Sequence, residues 1–298
     1  SSLRLGIVGL GLMGGSLALA LRGRVAPPAA VERQPDTRQL ALREGIVGFA
    51  AEELSDDFPP VDLLVLAAPV RVILDILGRL PALLPAGCAV LDLGSTKREV
   101  VAAMDALPEP FAAIGGHPMC GKETSGLASA AADLYRDQTF FLCRSRRTTP
   151  ALEATALALV GAIGARPVFM DAAAHDTAVA AVSHLPALLS AALMRSAAEE
   201  ALWSVAASGF RDTARLAGSD PRMMLDILLT SREAVLAALA GYEWELAAVR
   251  RMMEQGDEAA LAEWLATAQV NYAAYRRFKS SEYLLSIRED DEEAGKIA

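Results

Sequence analysis

Apolar runs of strand length alternate with helical stretches through the first 170 residues of the chain. The runs lie at residues 3–8, 29–31, 63–67, 88–93, 111–114, 139–142 and 166–170. A helical stretch at about residues 150–163 separates the last two runs. Alternation of this kind is typical of α/β proteins with a doubly wound parallel sheet. The pattern therefore predicts a sheet domain over residues 1–170.

The pattern changes after residue 170. Ala, Leu, Glu and Arg dominate, and strand-like runs disappear up to residue 283. Amphipathic or largely apolar helices are predicted over residues 172–207, 221–253 and 257–283. We therefore predict an all-helical domain at residues 171–285, and such an alanine-rich partner of a sheet domain more often forms a dimer core than a second catalytic domain. Residues 286–298 are acidic and are expected to form a flexible tail.

A glycine-rich turn directly follows the first apolar run. The motif G-x-G-x-x-G stands there between a strand and a helix, which is the setting that dinucleotide binding requires. Gly9 allows the tight turn, Gly11 lets the backbone approach a pyrophosphate, and Gly14 permits close packing of the helix, whose N-terminus faces the anion. We therefore predict a dinucleotide site lined by Gly9, Gly11, Leu12, Met13 and Gly14.

The end of the second predicted strand carries both of the charges that discriminate between NAD and NADP. Glu32 would accept hydrogen bonds from a plain ribose, whereas Arg33, Gln34 and Thr37 would form a pocket for a 2′-phosphate. An ordinary surface charge pair after the strand is the alternative interpretation. The sequence favours NADP.

Three further strand ends carry candidate site residues, because ligands of such sheets bind outside the carboxyl ends of the strands. Ala68 and Pro69 follow one run and are expected to line the cofactor site, and Ser95 follows the next. Residues 115–126 contain four glycines, a proline and a histidine, a composition that predicts a shaped loop. We predict that His117 in this loop is the catalytic group.

Two polar patches interrupt the helical half. The first contains His175, Asp176 and His184. On one continuous helix the two histidines would face opposite sides and could not share a metal ion, and Pro186 should kink the helix beside His184. A helix-start histidine near Asp176 is the simpler interpretation of His175. No metal site is predicted.

The second patch contains two arginines four positions apart, Arg211 and Arg215, which therefore share a helical face. Either a ligand carboxylate lies between their planar guanidinium groups, or Asp212 pairs with Arg215. In an acidic protein, two arginines that follow a glycine favour the ligand clamp.

Composition narrows the classes of partner. The chain of 298 residues has a formal net charge of −9, which argues against nonspecific binding of nucleic acid. Three widely spaced cysteines fit free thiols in a reducing cytoplasm better than a disulfide framework or a zinc site. No apolar run approaches the ~20 residues that span a bilayer, and no secretory signal pattern is present, so we expect a cytoplasmic protein with no membrane partner.

Taken together, the motifs resemble those of the prephenate/arogenate dehydrogenase family of tyrosine biosynthesis. The resemblance covers about residues 3–285, and its long G-G-H-P-M-x-G segment is more specific than the glycine fingerprint. The motifs that carry it lie at residues 9–16, 92–97, 115–126, 175–176, 183–186, 209–215 and 219–221. It implies a Rossmann-like domain followed by an all-helical dimerisation domain, with the active site in the cleft between them.

The resemblance also implies a reaction, the oxidative decarboxylation of a small anionic cyclohexadienyl acid with hydride transfer to NAD or NADP. His117 matches the family's catalytic histidine, whose neutral imidazole accepts the proton of the substrate hydroxyl. Ser95 matches a serine between the nicotinamide and that hydroxyl. The residues that match positions at the substrate are Arg215, which binds a carboxylate, and Arg211, His184 and Lys97.

Two positions depart from the family's pattern. Ala187 stands where several members that use prephenate carry a histidine, which favours arogenate, whose side chain is an amino acid. Cys120 stands where alanine is usual, and we interpret it as a small buried residue without a redox role.

Two alternatives remain open. A β-hydroxyacid dehydrogenase would also join a Rossmann domain to helices, but it requires a catalytic lysine on the helical domain, and no lysine occurs between Lys122 and Lys279. A regulator that binds NADP without turnover would have no need of Ser95, His117 and Arg215 in one cleft.

Overall fold

The computed structural model describes the backbone of residues 3–294 and the side chains of residues 3–280. The chain divides into two compact units, residues 1–238 and residues 239–298. The first unit contains a sheet with its flanking helices and the first part of the helical half. The second consists of helices.

Eight strands form the sheet of the first unit. They are β1 (Leu5–Val8), β2 (Ala29–Val31), β3 (Phe49–Ala51), β4 (Leu63–Leu66), β5 (Ala89–Asp92), β6 (Ala112–Pro118), β7 (Thr139–Arg144) and β8 (Arg166–Phe169). Their order is β3-β2-β1-β4-β5-β6-β7-β8. This arrangement confirms the predicted doubly wound α/β fold. The strand β3 was not predicted, because it has three residues and none of them is buried.

The pair β6–β7 departs from the expectation of a wholly parallel sheet, because these two strands run antiparallel. A parallel connection needs a crossover, which is usually a helix. The described segment 119–138 between the two strands provides only a three-residue 3₁₀ turn, Leu127–Ser129. The chain therefore returns directly beside β6.

Both faces of the central strands are buried, which explains why β1, β4, β5 and the start of β6 read as continuous apolar runs. Leu63 and Val65 of β4 belong to the core cluster on one face, and Leu64 and Leu66 belong to the cluster on the other. The flanking helices are α1 (Leu12–Ala20), α2 (Pro35–Arg43), α3 (Val70–Leu83), α4 (Arg98–Asp105) and α5 (Pro150–Ala162).

The helical half begins with one long helical run, Ala172–Ser196, which is divided into α6 (Ala172–Val179), a π-helical turn (Ala180–His184) and α7 (Leu185–Ser196). The run has 25 residues and is apolar enough to cross a membrane by length and composition alone. The expectation that no segment approaches this length is therefore wrong. Its His175, Asp176 and His184 are buried, and His175 and Asp176 form hydrogen bonds with His117 of β6 and with the backbone of Lys97.

The remaining helices complete the helical half. They are α8 (Glu200–Trp203), α9 (Ser208–Ala214), α10 (Pro221–Thr230), α11 (Arg232–Gln255) and α12 (Glu258–Ala294), with a 3₁₀ turn at Arg215–Gly218. Within the second unit, the indole of Trp264 on α12 donates to Glu245 on α11 over 2.8 Å. The helix α12 includes residues 286–294, which we expected in the acidic tail. Residues 295–298 of that tail lie outside the described residues.

Candidate active site

The glycine turn at the end of β1 has the geometry that its sequence predicts. Gly9 has a φ of +94°, and a Cβ there would lie 2.5 Å from the carbonyl oxygen of Ala67. A Cβ on Gly14 would lie 1.9 Å from the carbonyl oxygen of Gly9, so only glycine lets α1 start this close to the sheet. A Cβ on Gly11 would meet nothing within 4 Å. The open space at Gly11 and the unpaired N–H groups at the start of α1, including those of Leu12 and Met13, fit a dinucleotide pyrophosphate.

The end of β2 holds the acidic side chain in a fixed position. The carboxylate of Glu32 accepts the backbone N–H of Leu10 in the glycine turn and that of Gln34, each over 2.9 Å. Arg33 is exposed beside it, and Thr37 lies on α2. These contacts place a carboxylate, rather than a guanidinium, against the glycine turn.

Lys97 is not accessible to a substrate. Its side chain is fully buried, and its ammonium group contacts the Asp92 carboxylate and donates to the carbonyl oxygen of Gly116 over 2.7 Å. Asp92 also accepts the N–H groups of Gly94 and Gly116. The expectation that Lys97 binds substrate is wrong, because a buried ammonium needs its carboxylate partner. Lys97 instead joins the ends of β5 and β6.

His117 lies within a strand and not in the loop that we predicted. Residues 115–118 continue β6, and His117 pairs with Phe141 of β7. The glycines that suggested a loop serve close packing, since a Cβ on Gly116 would lie 2.5 Å from the carbonyl oxygen of Asp92. The strand thus carries His117 rigidly to the carboxyl end of the sheet, the edge that also carries the glycine turn.

A chain of hydrogen bonds runs from His117 into the helical half. Nδ1 of His117 lies 2.8 Å from Nε2 of His175, and Nδ1 of His175 lies 2.9 Å from Oδ1 of Asp176. The two oxygens of Asp176 also accept the backbone N–H groups of Lys97 and Arg98, over 2.7 and 2.9 Å. The ring of His175 packs edge-on against Phe141. The three members of the chain are buried, and only His117 retains 8% exposure.

The surroundings of His117 keep its imidazole neutral. Burial lowers the pKa of His117 well below its usual value of 6.5, and the positive charge of Lys97 and the neighbouring His175 and His184 lower it further. A neutral imidazole has one nitrogen free to accept a proton. Because Nδ1 is engaged by His175, that nitrogen is Nε2 when Nδ1 carries the hydrogen.

His184 lies near enough to the other two histidines for charge to act between them, since His184 lowers the pKa of His117 and His175 lowers that of His184. The prediction that His175 and His184 face opposite sides assumed a continuous α-helix. The π-helical turn before Pro186 changes the number of residues per turn between them, so the angle between the two side chains is not that of an α-helix. Pro186 has no N–H to donate to the α-helical hydrogen-bond pattern. Burial lowers the pKa of His184 to about 4, and its Nδ1 has no hydrogen-bond partner within the described part of the chain.

Both arginines of the predicted clamp are exposed and each has a carboxylate partner. Nε of Arg211 contacts Asp212 over 3.0 Å, and Nη1 of Arg215 contacts Glu123 over 2.9 Å. The alternative pairing of Asp212 with Arg215 is therefore wrong. Glu123 lies in the segment after β6, so Arg215 connects the helical half to the residues that follow His117.

The remaining predicted residues lie at strand ends. Pro69 is the N-cap of α3, and Ala68 precedes it at the end of β4. Ser95 is half-buried after β5, and its neighbour Thr96 shares a 2.8 Å hydrogen bond with Thr230 of α10. Burial raises the pKa of the Cys120 thiol to about 11, which disfavours the reactive thiolate.

Sequence reasoning missed the roles of Asp92, His175 and Asp176. Asp92 and Lys97 stand five residues apart and form a buried ion pair, which no local sequence pattern predicts. The interpretation of His175 as a helix-start histidine near Asp176 is confirmed, since His175 lies in the first half of α6 with its Nδ1 2.9 Å from Oδ1 of Asp176. Its contact with His117 depends on how α6 packs against β6 and β7, which is a tertiary feature. Among the described residues, no group of three or more His, Cys, Asp and Glu side chains could hold a metal ion.

Two family models match the chain. Residues 17–169 match the prephenate dehydrogenase nucleotide-binding domain, and residues 171–267 match the prephenate dehydrogenase dimerization domain. The chain is 29% identical over 272 residues to the prephenate dehydrogenase of Bacillus subtilis, covering 88% of this chain and 73% of the relative.

Solved structures of similar proteins cover nearly all of the chain. One is a prephenate dehydrogenase from Aquifex aeolicus in complex with hydroxyphenyl propionate and NAD+, with a TM-score of 0.84, 29% identity and coverage of 91% of this chain and 98% of that one. Another is the Synechocystis arogenate dehydrogenase, with a TM-score of 0.78, 30% identity and coverage of 91% and 99%. The two structures have different substrates in their names and nearly equal similarity to this chain.

Proposed function

Because the chain belongs to the prephenate dehydrogenase family, we propose that it catalyses the oxidative decarboxylation of a cyclohexadienyl acid with hydride transfer to NAD or NADP. The observation that carries this proposal is His117, a buried neutral imidazole at the sheet edge that also carries the glycine turn. Its Nδ1 is engaged by His175, which leaves Nε2 for a substrate hydroxyl.

The chemistry assigns His117 two proton transfers. Nε2 accepts the hydroxyl proton while the C–H bond of the same ring carbon breaks, so that a carbonyl forms. The bond from the ring to its carboxylate then breaks, carbon dioxide leaves, and the electron pair makes the ring aromatic. His117 returns its proton to the phenol oxygen. The bound nicotinamide supplies the hydride acceptor.

Ser95 and the cationic groups have supporting roles in the proposal. Ser95 contacts the substrate hydroxyl from the end of β5 and orients it towards His117. Arg215 and Arg211 hold a substrate carboxylate, to which their planar guanidinium groups are suited. Nδ1 of His184 has no hydrogen-bond partner among the described residues, which supports a place for this residue beside the substrate, since a buried polar atom without a partner is costly.

We propose arogenate as the better substrate. Ala187 is buried near the start of α7 and carries no polar group. Its methyl group offers no hydrogen bond to the keto-acid side chain of prephenate. The expected result is a higher kcat/KM for arogenate than for prephenate.

The position of Glu32 supports NAD more than NADP, the cofactor that the sequence favours. A 2′-phosphate at the end of β2 would meet the carboxylate of Glu32, which its bonds to Leu10 and Gln34 hold in place. Repulsion between these two anions opposes NADP, although the exposed Arg33 would attract the phosphate. We therefore propose that NAD is used at least as well as NADP.

We further propose a cytoplasmic homodimer that forms through the helical domain at residues 171–285. Large apolar side chains in the second unit support the dimer because they are exposed: Trp244, Met253, Leu265 and Val270 are between 56% and 68% exposed. Family membership supports it as well, since residues 171–267 match a dimerization domain.

One assay tests the function. Prephenate and arogenate are offered separately with NAD and with NADP, and both the absorbance of the reduced nicotinamide and the release of carbon dioxide are followed. We expect both signals in equal amounts with at least one substrate. The replacement His117→Asn should lower kcat by about 10²-fold or more with little change in cofactor binding. If neither substrate reduces either cofactor, the proposal is wrong.

A further inference from the structure

The hydrogen-bond chain from His117 to Asp176 fixes where its protons lie. Both oxygens of Asp176 accept backbone N–H groups, from Lys97 and Arg98. An ionised carboxylate only accepts hydrogen bonds. The third contact of Asp176, with Nδ1 of His175, therefore requires a hydrogen on that nitrogen.

The hydrogen on Nδ1 of His175 determines which nitrogen of the His117 ring donates. When His175 carries a single ring hydrogen, that hydrogen is the one on Nδ1, and Nε2 has a lone pair. Nε2 of His175 lies 2.8 Å from Nδ1 of His117, so His117 must donate from Nδ1. This leaves the lone pair of His117 on Nε2.

We infer that His175 and Asp176 are positioning residues, which act through His117 by fixing its Nδ1–H tautomer and leaving Nε2 free to accept the substrate proton. Neither residue touches the substrate. Asp176 is itself fixed by the backbone N–H groups of Lys97 and Arg98 at the start of α4, and the edge-on packing of His175 against Phe141 holds the orientation of the His175 ring.

The arrangement also answers an energetic problem of the site. His117 becomes an imidazolium when it accepts a proton. The burial of His117 and the positive charge of Lys97 both disfavour that charge. In the imidazolium state the Nδ1–H of His117 still donates to His175, which in turn donates to the Asp176 anion. The negative charge two groups away thus stabilises the positive charge when the reaction creates it, as the aspartate of a Ser-His-Asp triad does.

The first test measures the tautomers directly in the substrate-free wild-type protein. Nitrogen-15-labelled histidine is incorporated into untagged protein, and two-bond nitrogen–proton correlations are recorded at neutral pH. Only three histidines are present, so replacing each in turn assigns every signal. We expect His117 and His175 both to carry the hydrogen on Nδ1. A hydrogen on Nε2 of His117, or a doubly protonated His175, would overturn the inference.

The second test separates positioning from general structural support. Asp176→Asn should lower kcat by about 10²-fold or more with KM and cofactor affinity nearly unchanged, and the His117 signal should move towards the Nε2–H tautomer. His175→Gln keeps an acceptor and should retain more activity than His175→Phe. The matched control is Asp171→Asn, the same exchange at the exposed N-cap of α6, where asparagine caps equally well. We expect this control to retain wild-type kcat.

The kinetic test rests on the proposed function, whereas the tautomer measurement does not. An inactive wild-type protein with Nδ1–H tautomers would contradict the function and leave the positioning role supported. An active wild-type protein whose Asp176→Asn variant folds and keeps its kcat would contradict the positioning role alone.

Discussion

Lys97 shows how a single buried charge sets the chemistry of its neighbour. Its ammonium group donates hydrogen bonds to the carboxylate of Asp92 and to the carbonyl oxygen of Gly116, the residue before His117. Its position there ties β5 to β6, and its positive charge opposes a second positive charge on His117. The residue therefore acts on the base without touching the substrate, which is why a family motif alone could not distinguish its role from that of a substrate ligand.

Arg215 offers a prediction at the same scale. In the substrate-free protein its guanidinium pairs with Glu123, and both side chains are largely exposed, so the pair is weak and open to exchange. A substrate carboxylate can take the place of Glu123. Arg215→Ala should therefore raise KM by about 10-fold or more with a smaller change in kcat, as steady-state kinetics would measure.

Two variants sharpen this measurement. Glu123→Gln removes the competing carboxylate and should leave KM unchanged or lower it. Arg79→Ala is the matched control and should leave KM unchanged, because Arg79 on α3 is as exposed as Arg215 and likewise pairs with a carboxylate, that of Asp75. If Arg215→Ala leaves KM unaltered, Arg215 serves only to hold the segment after β6, and the ligand clamp is ruled out.

At the scale of elements, the sequence predicted those whose signal is local. Buried runs such as β4 read directly as strands, and Gly9 and Gly14 predicted the turn because only glycine fits at these two positions. The extension of β6 through His117 was missed, because its glycines allow close packing against β5, and that packing is a tertiary contact which the local sequence does not show. The π-helical turn was missed for a similar reason, since Pro186 announces a disturbance but not its form.

The same limit applies to the site. His117 and the glycine turn could be named from motifs, yet the role of His175 depends on the approach of α6 to β6, which no local spacing encodes. The backbone N–H groups that hold Asp176 likewise come from the start of α4, almost eighty residues earlier in the chain. Contacts of that kind are visible only once the elements are packed.

Two buried histidines, one of them in the helical run Ala172–Ser196, should make the stability of the fold depend on pH. His184 within that run, and His117 on β6, have pKa values lowered by burial, to about 4 in the case of His184. In the unfolded chain both titrate near 6.5, so below that pH the unfolded state binds more protons than the folded state. The free energy of unfolding should therefore fall as the pH drops from 6.5 towards 5, by at most about 1.4 kcal/mol per pH unit for each histidine.

Urea unfolding at fixed protein concentration between pH 7.5 and 5 measures this slope. The variant His184→Leu removes one titrating group and should show a shallower slope. An exposed carboxylate replacement in the same run, Asp171→Asn, provides the comparison that removes no histidine. A slope that is equal in all three proteins would show that His184 is protonated in the folded state.

At the scale of the whole molecule, the exposed apolar side chains of the second unit require a partner. Several large and strongly exposed apolar side chains, Trp244 and Met253 on α11 and Leu265 and Val270 on α12, favour an interaction surface. Cyclic pairs of identical chains are the commonest assembly, and one surface suffices for both copies. We therefore expect light scattering after size exclusion to give twice the chain mass of 31.4 kDa.

Replacing two of these side chains tests the surface. Leu265→Glu with Val270→Glu places two buried charges in each half of a dimer interface, which costs several kcal/mol, so the scattering mass should fall towards that of one chain. The control is Leu42→Glu, an exposed leucine on α2 in the first unit, which should leave the mass unchanged. If the double variant keeps the dimer mass, the interface does not include these two residues of α12. A wild-type mass of one chain would contradict the dimer itself.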